Sequence, residues 1–139
     1  MADMNDWNRG VMEEFRANEG KVGGMWEGRP LLLLTTTGAK SGKRRTHPVM
    51  YLRDDDRLLI FASKGGAPTS PDWYHNLVVH PEVTVEVGSE TYPAIATVLS
   101  GEERDRLYAK QAQLYPQFAG YQEKTTRPIP VVALERHKS

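Results

Sequence analysis

Trp7, Val11 and Phe15 recur every four residues in an otherwise polar segment, which places them on one face and predicts a helix ending near Asn18–Gly20. Lys21–Pro30 holds three glycines and a proline and reads as a loop. The period then changes. Leu31–Thr37, LLLLTTT, is a short apolar run closed by β-branched residues and reads as a buried strand. Thr46–Arg53 and Leu58–Ser63 follow as further strands, joined by polar turns at Gly38–Lys43 and Asp54–Arg57. Pro48 lies near the start of the second strand, where a missing N–H does least harm. Ser70 reads as an N-cap, Pro71 as the first helical residue and Asp72 as a complement to the helix dipole. That helix is expected to reach about His80 and to stop before Pro81.

Glu82–Val87 alternates as a strand, Gly88–Ser89 fits a two-residue hairpin turn, and Glu90–Ser100 returns, interrupted or edged by Pro93. Ser100 with Glu103 three residues on reads as a capping box. Its helix is expected to run to about Leu114, with Leu107 and Leu114 inward. Tyr115–Pro128 reads as a loop or broken helix with spaced aromatics, and Ile129–Glu135 as the last strand. The sum is about six strands and three helices, joined by hairpins and not by regular βαβ crossovers. The class is α+β, mainly β, with an antiparallel sheet closing toward a barrel. The chain reads as a single domain, residues 1–139, with residues 1–27 as an N-terminal helix and loop.

Composition narrows the function. A hydrophobic content of 39% with three Trp, six Tyr and three Phe suits a folded domain. Equal numbers of basic and acidic residues, 18 each, argue against a general nucleic-acid binder. The absence of cysteine removes disulfides, thiolate metal sites and cysteine nucleophiles, and suits a reducing cytoplasm. The longest aliphatic run, Leu31–Leu34, is too short to span a bilayer. The expectation is a soluble cytoplasmic protein with no integral membrane segment, the first helix leaving room for peripheral membrane contact.

Charge is not spread evenly. Lys40, Lys43, Arg44 and Arg45 crowd one short segment, His47 follows, and no acidic residue occurs between Gly28 and Arg53. Gly38, Ser41 and Gly42 allow backbone N–H groups to converge as in an anion nest. Lys40 offers a mobile point charge and Arg45 a planar fork suited to phosphate. A solvated hairpin tip is the plainer alternative. Neither the G-x-x-x-x-G-K-[ST] spacing nor G-x-G-x-x-G is present.

Ala62–Gly66, ASKGG, ends a strand in Ser63 and Lys64, and its glycines let a ligand approach the backbone. Trp73 and Asn76 share a helical face and could line a planar ligand, although a tryptophan there is more often core. Tyr115, Phe118 and Tyr121 could wall a pocket or simply cover the barrel. His75 and His80 are five apart and form no metal-ligand pattern, so no metal is expected. No serine sits in a G-x-S-x-G elbow.

Four stretches, GAKSGKRRTHPVMYL, ASKGGAPTSPDWYHNL, HPEVTVEV and YPQFAGYQEKTTRPIPVV, together resemble the deazaflavin-dependent nitroreductase family of actinobacteria. The resemblance covers about Leu31–Leu134 in the family's order. It implies a split β-barrel that binds coenzyme F420, a deazaflavin with a phosphodiester and a polyglutamate tail. It further implies that Lys40, Ser41 and Arg45 meet the phosphate region, with Lys64 adding charge. Pro48, Val49 and Met50 would flank the ring, Trp73 and Asn76 would hold the coenzyme from the helix, and Ala62, Ser63 and Phe118 would lie at its site. Ser63, Tyr115 and Tyr121 are the candidate catalytic residues, orienting the acceptor. The implied reaction is hydride transfer from the reduced coenzyme to a hydrophobic or aromatic acceptor: an α,β-unsaturated lactone or enone, a coumarin, a quinone or a nitroaromatic. The family's best-known nitroreductases carry Tyr at all three spaced aromatic positions. Phe118 departs from that pattern and puts bicyclic nitroimidazole activation in doubt. The alternatives are an FMN-binding barrel flavoprotein and a deazaflavin carrier without turnover. Monomer and homodimer both remain open.

Overall fold

All four leucines of Leu31–Leu34 are buried, although consecutive strand residues point to opposite faces. Both faces of their sheet are therefore covered, and the fold follows from how. The structure is a computed structural model and describes residues 4–23, 30–66 and 69–136. The elements are α1 (Met4–Ala17), β1 (Leu31–Thr37), β2 (Arg44–Met50), β3 (Leu52–Asp54), β4 (Arg57–Phe61), α2 (Asp72–Val79), β5 (Glu82–Val87), β6 (Glu90–Leu99), α3 (Gly101–Leu114), α4 (Gln117–Glu123) and β7 (Val131–Arg136). The strands form one antiparallel sheet in the order β2-β1-β5-β6-β7-β4-β3.

β2 and β3 stand at opposite ends of that order, yet only Tyr51 separates them in the chain. A flat sheet of this size would hold its end strands roughly 29 Å apart, at about 4.8 Å per strand. One residue cannot span that, so the sheet curls until its ends meet at Tyr51. The result is a split β-barrel. Inside it pack Leu32, Leu34, Leu58, Ile60, Val132 and Leu134, with Trp73 and Leu77 of α2 joining the same cluster. The alternate residues Leu59, Phe61, Val131 and Ala133 point outward and are covered by Leu107 and Tyr108 of α3 and Phe118 of α4. Val11 and Phe15 of α1 lie on Leu31 and Leu33. Arg16 fastens that helix, donating from Nε and Nη2 to Glu86 at 3.0 and 2.9 Å.

Several expectations need correction. Among the described residues seven strands replace six, because the segment expected to be one strand, Thr46–Arg53, turns the barrel corner at Tyr51 and divides into β2 and β3. A fourth helix, α4, forms in the segment read as a loop or broken helix. Pro48 lies well inside its strand and not near the start. It is tolerated because β2 is paired on one side only, with β1. Pro71, not Ser70, takes the N-cap position of α2 (φ −67°, ψ 159°). The Ser70 hydroxyl accepts from Arg127 Nη1 at 3.1 Å instead. The capping box at Ser100 does not form. Gly101, the first residue of α3, stands at φ 63°, and Glu103 accepts from Arg57 Nη2 at 2.9 Å. The two-residue hairpin at Gly88–Ser89 forms as expected, with Val87 opposite Glu90. Val11 and Phe15 share the buried face of α1, whereas the Trp7 side chain and residues 24–29 lie outside the described residues.

Leu114 points out, 56% exposed, and the inward position one turn earlier is taken by Gln111, which is 0% exposed. Neither Oε1 nor Nε2 of Gln111 has a hydrogen-bond partner among the described residues. A buried amide without partners costs about 1–3 kcal/mol. Gln111→Met, similar in length and apolar, is expected to raise stability by about 1–2 kcal/mol. Equilibrium urea unfolding would read this as a higher midpoint at constant slope. A lower midpoint would mean that Gln111 is satisfied in solution.

A basic cleft at the mouth of the barrel

The cleft is built by one hairpin and one helix. Antiparallel pairing places Thr36 opposite Arg45, Leu34 opposite His47 and Leu32 opposite Val49. Opposed residues share a face, and Leu32 and Leu34 point into the barrel. Arg45, His47 and Val49 therefore form a ladder on the inner face of β2: a cation at the rim, an imidazole below it and an apolar side chain deepest. The residues between them take the other face. Arg44 is tied there, its Nη1 donating to Thr37 Oγ1 at 3.2 Å and its Nη2 to Thr84 Oγ1 at 2.8 Å.

The turn between β1 and β2 closes tightly. Gly38 N–H donates to Lys43 O at 2.7 Å and Gly42 N–H to Gly38 O at 3.0 Å. A side chain at Gly38 would displace Ser41 Oγ, which accepts from Lys43 N–H at 3.2 Å, and would stand 3.3 Å from Lys43 O, so the tight turn favours glycine there. Asn76 of α2, only 8% exposed, anchors this turn. Its Oδ1 accepts from Ala39 N–H at 3.0 Å and its Nδ2 donates to Thr36 Oγ1 at 3.2 Å. The cleft between them holds about 810 Å³ and is lined by Gly38, Ala39, Lys40, Ser41, Arg45, His47, Asp72, His75 and Asn76.

Four expected ligand-binding residues thus meet in one place: Lys40, Ser41, Arg45 and Asn76. Lys40 and Arg45 form no ion pair or hydrogen bond with the described residues, whereas Arg44 spends its donors on threonines. Asn76 acts on the turn, with one donor site of its amide left over. Trp73 is buried in the barrel cluster behind the cleft. The trio Pro48, Val49 and Met50 is divided by strand alternation. Val49 packs on the inner cluster and Met50 on the outer clusters.

The remaining candidates form a second group. Ala62, fully buried, belongs to the barrel interior, and Ser63 is buried after it. Lys64 is exposed at φ 48° and opens a short turn, Lys64–Gly66. That turn sits against α4: a side chain on Gly66 would come within 2.8 Å of Tyr121 O. Phe118 packs edge-on against Phe61, Tyr108 and Tyr121, with centroids 5.7, 6.4 and 5.2 Å away. Tyr115 and Tyr121 border the same cluster, as does Met50. Tyr108, whose hydroxyl donates to Phe118 O at 2.6 Å, is pushed up to about 12 by burial, against the pull of Arg104.

Two contributors were not singled out from the sequence. One is Arg127, which reaches back across the fold. Its Nη2 lies 3.3, 3.1 and 3.0 Å from the carbonyls of Ala62, Ser63 and Thr69. Nothing in the local pattern of TTRP signals that reach. The other is His47, half-buried in the cleft, with Nδ1 buried and without a partner among the described residues. Burial lowers its pKa first and the neighbouring Arg45 second, with Asp72 opposing. Its place two residues after Arg45 on a strand was the available signal.

A curled antiparallel sheet with Lys40 and Arg45 in a cleft at its mouth defines a split-barrel domain. The model of the F420H(2)-dependent quinone reductase family matches residues 7–136, and the chain belongs to that family. An F420H(2)-dependent quinone reductase of Mycobacterium tuberculosis (strain H37Rv) is 42% identical over 128 residues, covering 88% of this chain and 85% of the relative. Among solved structures, an F420-H2 dependent reductase, FDR-A, superposes with TM-score 0.70 at 44% identity, over 77% of this chain and 95% of that one. Another, described as a domain-swapped dimer, gives TM-score 0.72 at 40% identity, over 96% of this chain and all of that one (100%).

Proposed function

We propose that this protein reduces a quinone to its quinol at the expense of reduced coenzyme F420, and that the basic cleft holds the coenzyme's anionic part. When bound, the reduced coenzyme supplies a hydride from its deazaflavin ring; a proton completes the quinol. The observation that carries the reading is the pair Lys40 and Arg45, which face one cleft with no ion pair among the described residues. A phosphodiester fits there: the Arg45 fork can take two of its oxygens and Lys40 supplies charge. From Arg45 to Met50 the strand covers roughly 17 Å, at about 3.3 Å per residue. An elongated ligand lying along β2 would thus reach from the cleft to the aromatic cluster bordered by Tyr115 and Tyr121.

In this reading β2 sets the register of the coenzyme, and its unpaired side offers backbone groups to the ring edge. Asn76 holds the cation-bearing turn, Trp73 backs the cleft, and Ala62, Ser63 and Lys64 border the ring region. Tyr115, Tyr121 and Phe118 form an apolar wall for a flat acceptor and keep water away, with two phenols to orient its carbonyls. No helix among the described residues is long and apolar enough to cross a membrane. We place the reaction in the cytoplasm, which suits the cysteine-free sequence.

The test mixes the protein anaerobically with reduced F420 and a soluble benzoquinone or naphthoquinone and follows the return of oxidised-coenzyme fluorescence. Turnover is expected with F420 and not with FMN in parallel. Binding of F420 without turnover across a quinone panel would make the protein a carrier. Tight binding of FMN alone would keep the barrel and overturn the cofactor.

A further inference from the structure

The inner face of β2 presents Arg45, His47 and Val49 in succession, and the middle residue is unaccounted for. His47 lines the cleft with Lys40 and Arg45. Its Nδ1 is buried and unpartnered, and no hydrogen bond to a described residue occupies Nε2. An imidazole in this setting is normally fixed by a partner on one nitrogen. Here neither is used among the described residues, so the ring is placed for something that enters the cleft. The charged and titratable groups lining the cleft around it come from the turn (Lys40), its own strand (Arg45) and α2 (Asp72 and His75). Arg45 opposes a proton on His47 and Asp72 favours one, and burial opposes it most.

We propose that His47 is a third ligand-contacting side chain of the cleft, donating from Nε2 to the coenzyme's anionic group, and that the imidazole takes up a proton when that anion arrives. This rests on the coenzyme reading above. Burial opposes the proton in the free cleft already, and because Nδ1 is enclosed before any ligand is present, the ligand adds little further enclosure there. What an arriving phosphodiester adds is mainly negative charge. It also offsets the repulsion from Arg45. Both changes favour the imidazolium, and an opposite charge within about 4–6 Å moves a pKa by about 1–3 units.

The sign follows directly. His47 is held below the ordinary histidine range in the free cleft and is neutral near pH 7. If the bound state raises its pKa, the protonated protein binds the anion more tightly. A rise of about one unit makes binding about tenfold tighter below both values than above both. As pH rises through that window, the extra affinity is lost.

The experiment is an NMR titration of the ring Cε1–H signals of the histidine-labelled protein from about pH 5 to 8, with and without coenzyme F420. The His47 signal is assigned by its absence in His47→Gln. A midpoint about one unit higher with coenzyme present is expected. An Arg45→Ala variant without coenzyme is expected to move the midpoint up as well, through loss of the repulsion. A second readout is coenzyme affinity across pH. His47→Gln keeps an N–H donor without titrating, so it should bind with a flatter pH dependence than the native protein, whereas His47→Phe should bind more weakly throughout. An unchanged or lowered His47 midpoint in the saturated complex overturns the proposal while leaving F420 as the coenzyme. No binding of F420 to the native protein overturns both.

Discussion

Lys40→Ala with Arg45→Ala is expected to weaken coenzyme binding by roughly 10²–10³-fold. Each side chain would give a charge-assisted hydrogen bond to the phosphodiester, worth about 1.5–3 kcal/mol, and one loss partly contains the other. The residual binding should also depend less on salt, because the removed charges are at the rim of an open cleft where ions screen them. Fluorescence titration of oxidised F420 at low and high ionic strength measures both effects. Arg45→Lys separates charge from shape: it keeps the cation and loses the planar fork. Arg44→Ala is the control, since that guanidinium is tied to Thr37 and Thr84 on the opposite face of the strand. Native affinity and salt dependence in the double variant would place the anion elsewhere.

Arg127→Ala should be the most disruptive single change among the residues that hold the site together. Its guanidinium joins the carbonyls of Ala62, Ser63 and Thr69 to the hydroxyl of Ser70. It thereby pins the segment between β4 and α2 from the far end of the chain. Removing it leaves the buried Ala62 carbonyl without this donor. A loss of about 2–4 kcal/mol is expected, a melting temperature lower by roughly 5–12 °C. Arg127→Lys should recover less than half, since one ammonium cannot reach around four acceptors as a planar fork does. The functional part is separable: Ser63 and Lys64 ride on this segment, so the KM for coenzyme should rise even at temperatures where the variant is fully folded. A folded variant with native KM would reduce Arg127 to a stabilising role.

Elements whose evidence is local were legible in the sequence. Leu31–Thr37 is a buried strand because an apolar, β-branched run has few other places to go. Gly88–Ser89 turns as expected because a two-residue hairpin is set by its own backbone. The basic turn of the candidate site was equally plain, since charge and glycine spacing are written in consecutive residues. The misses are tertiary. Ser100 and Glu103 have the spacing of a capping box, but Arg57 comes from another strand and takes the carboxylate. Leu114 follows the helical period and still faces solvent, because α3 buries the turn holding Leu107 and Gln111 instead. The break at Tyr51 is a demand of closure, and closure is a property of the whole sheet. Arg127 and Asn76 act on segments far away in sequence, which no local spacing encodes.

The strand order carries one more consequence, for how the chain acquires its shape. β7 lies between β6 and β4 and pairs with both. It also leaves the ribosome after the six other described strands. Until it emerges, β2-β1-β5-β6 and β4-β3 are two separate ladders, and the facing edges of β6 and β4 have no neighbour. Those edges carry open hydrogen-bonding groups and apolar side chains, the combination that invites another chain to pair. Closure therefore depends on a contact between segments distant in sequence, which makes folding slow relative to helical domains of this size. Val131–Leu134 act as the keystone of the barrel: they join the two ladders along both edges at once.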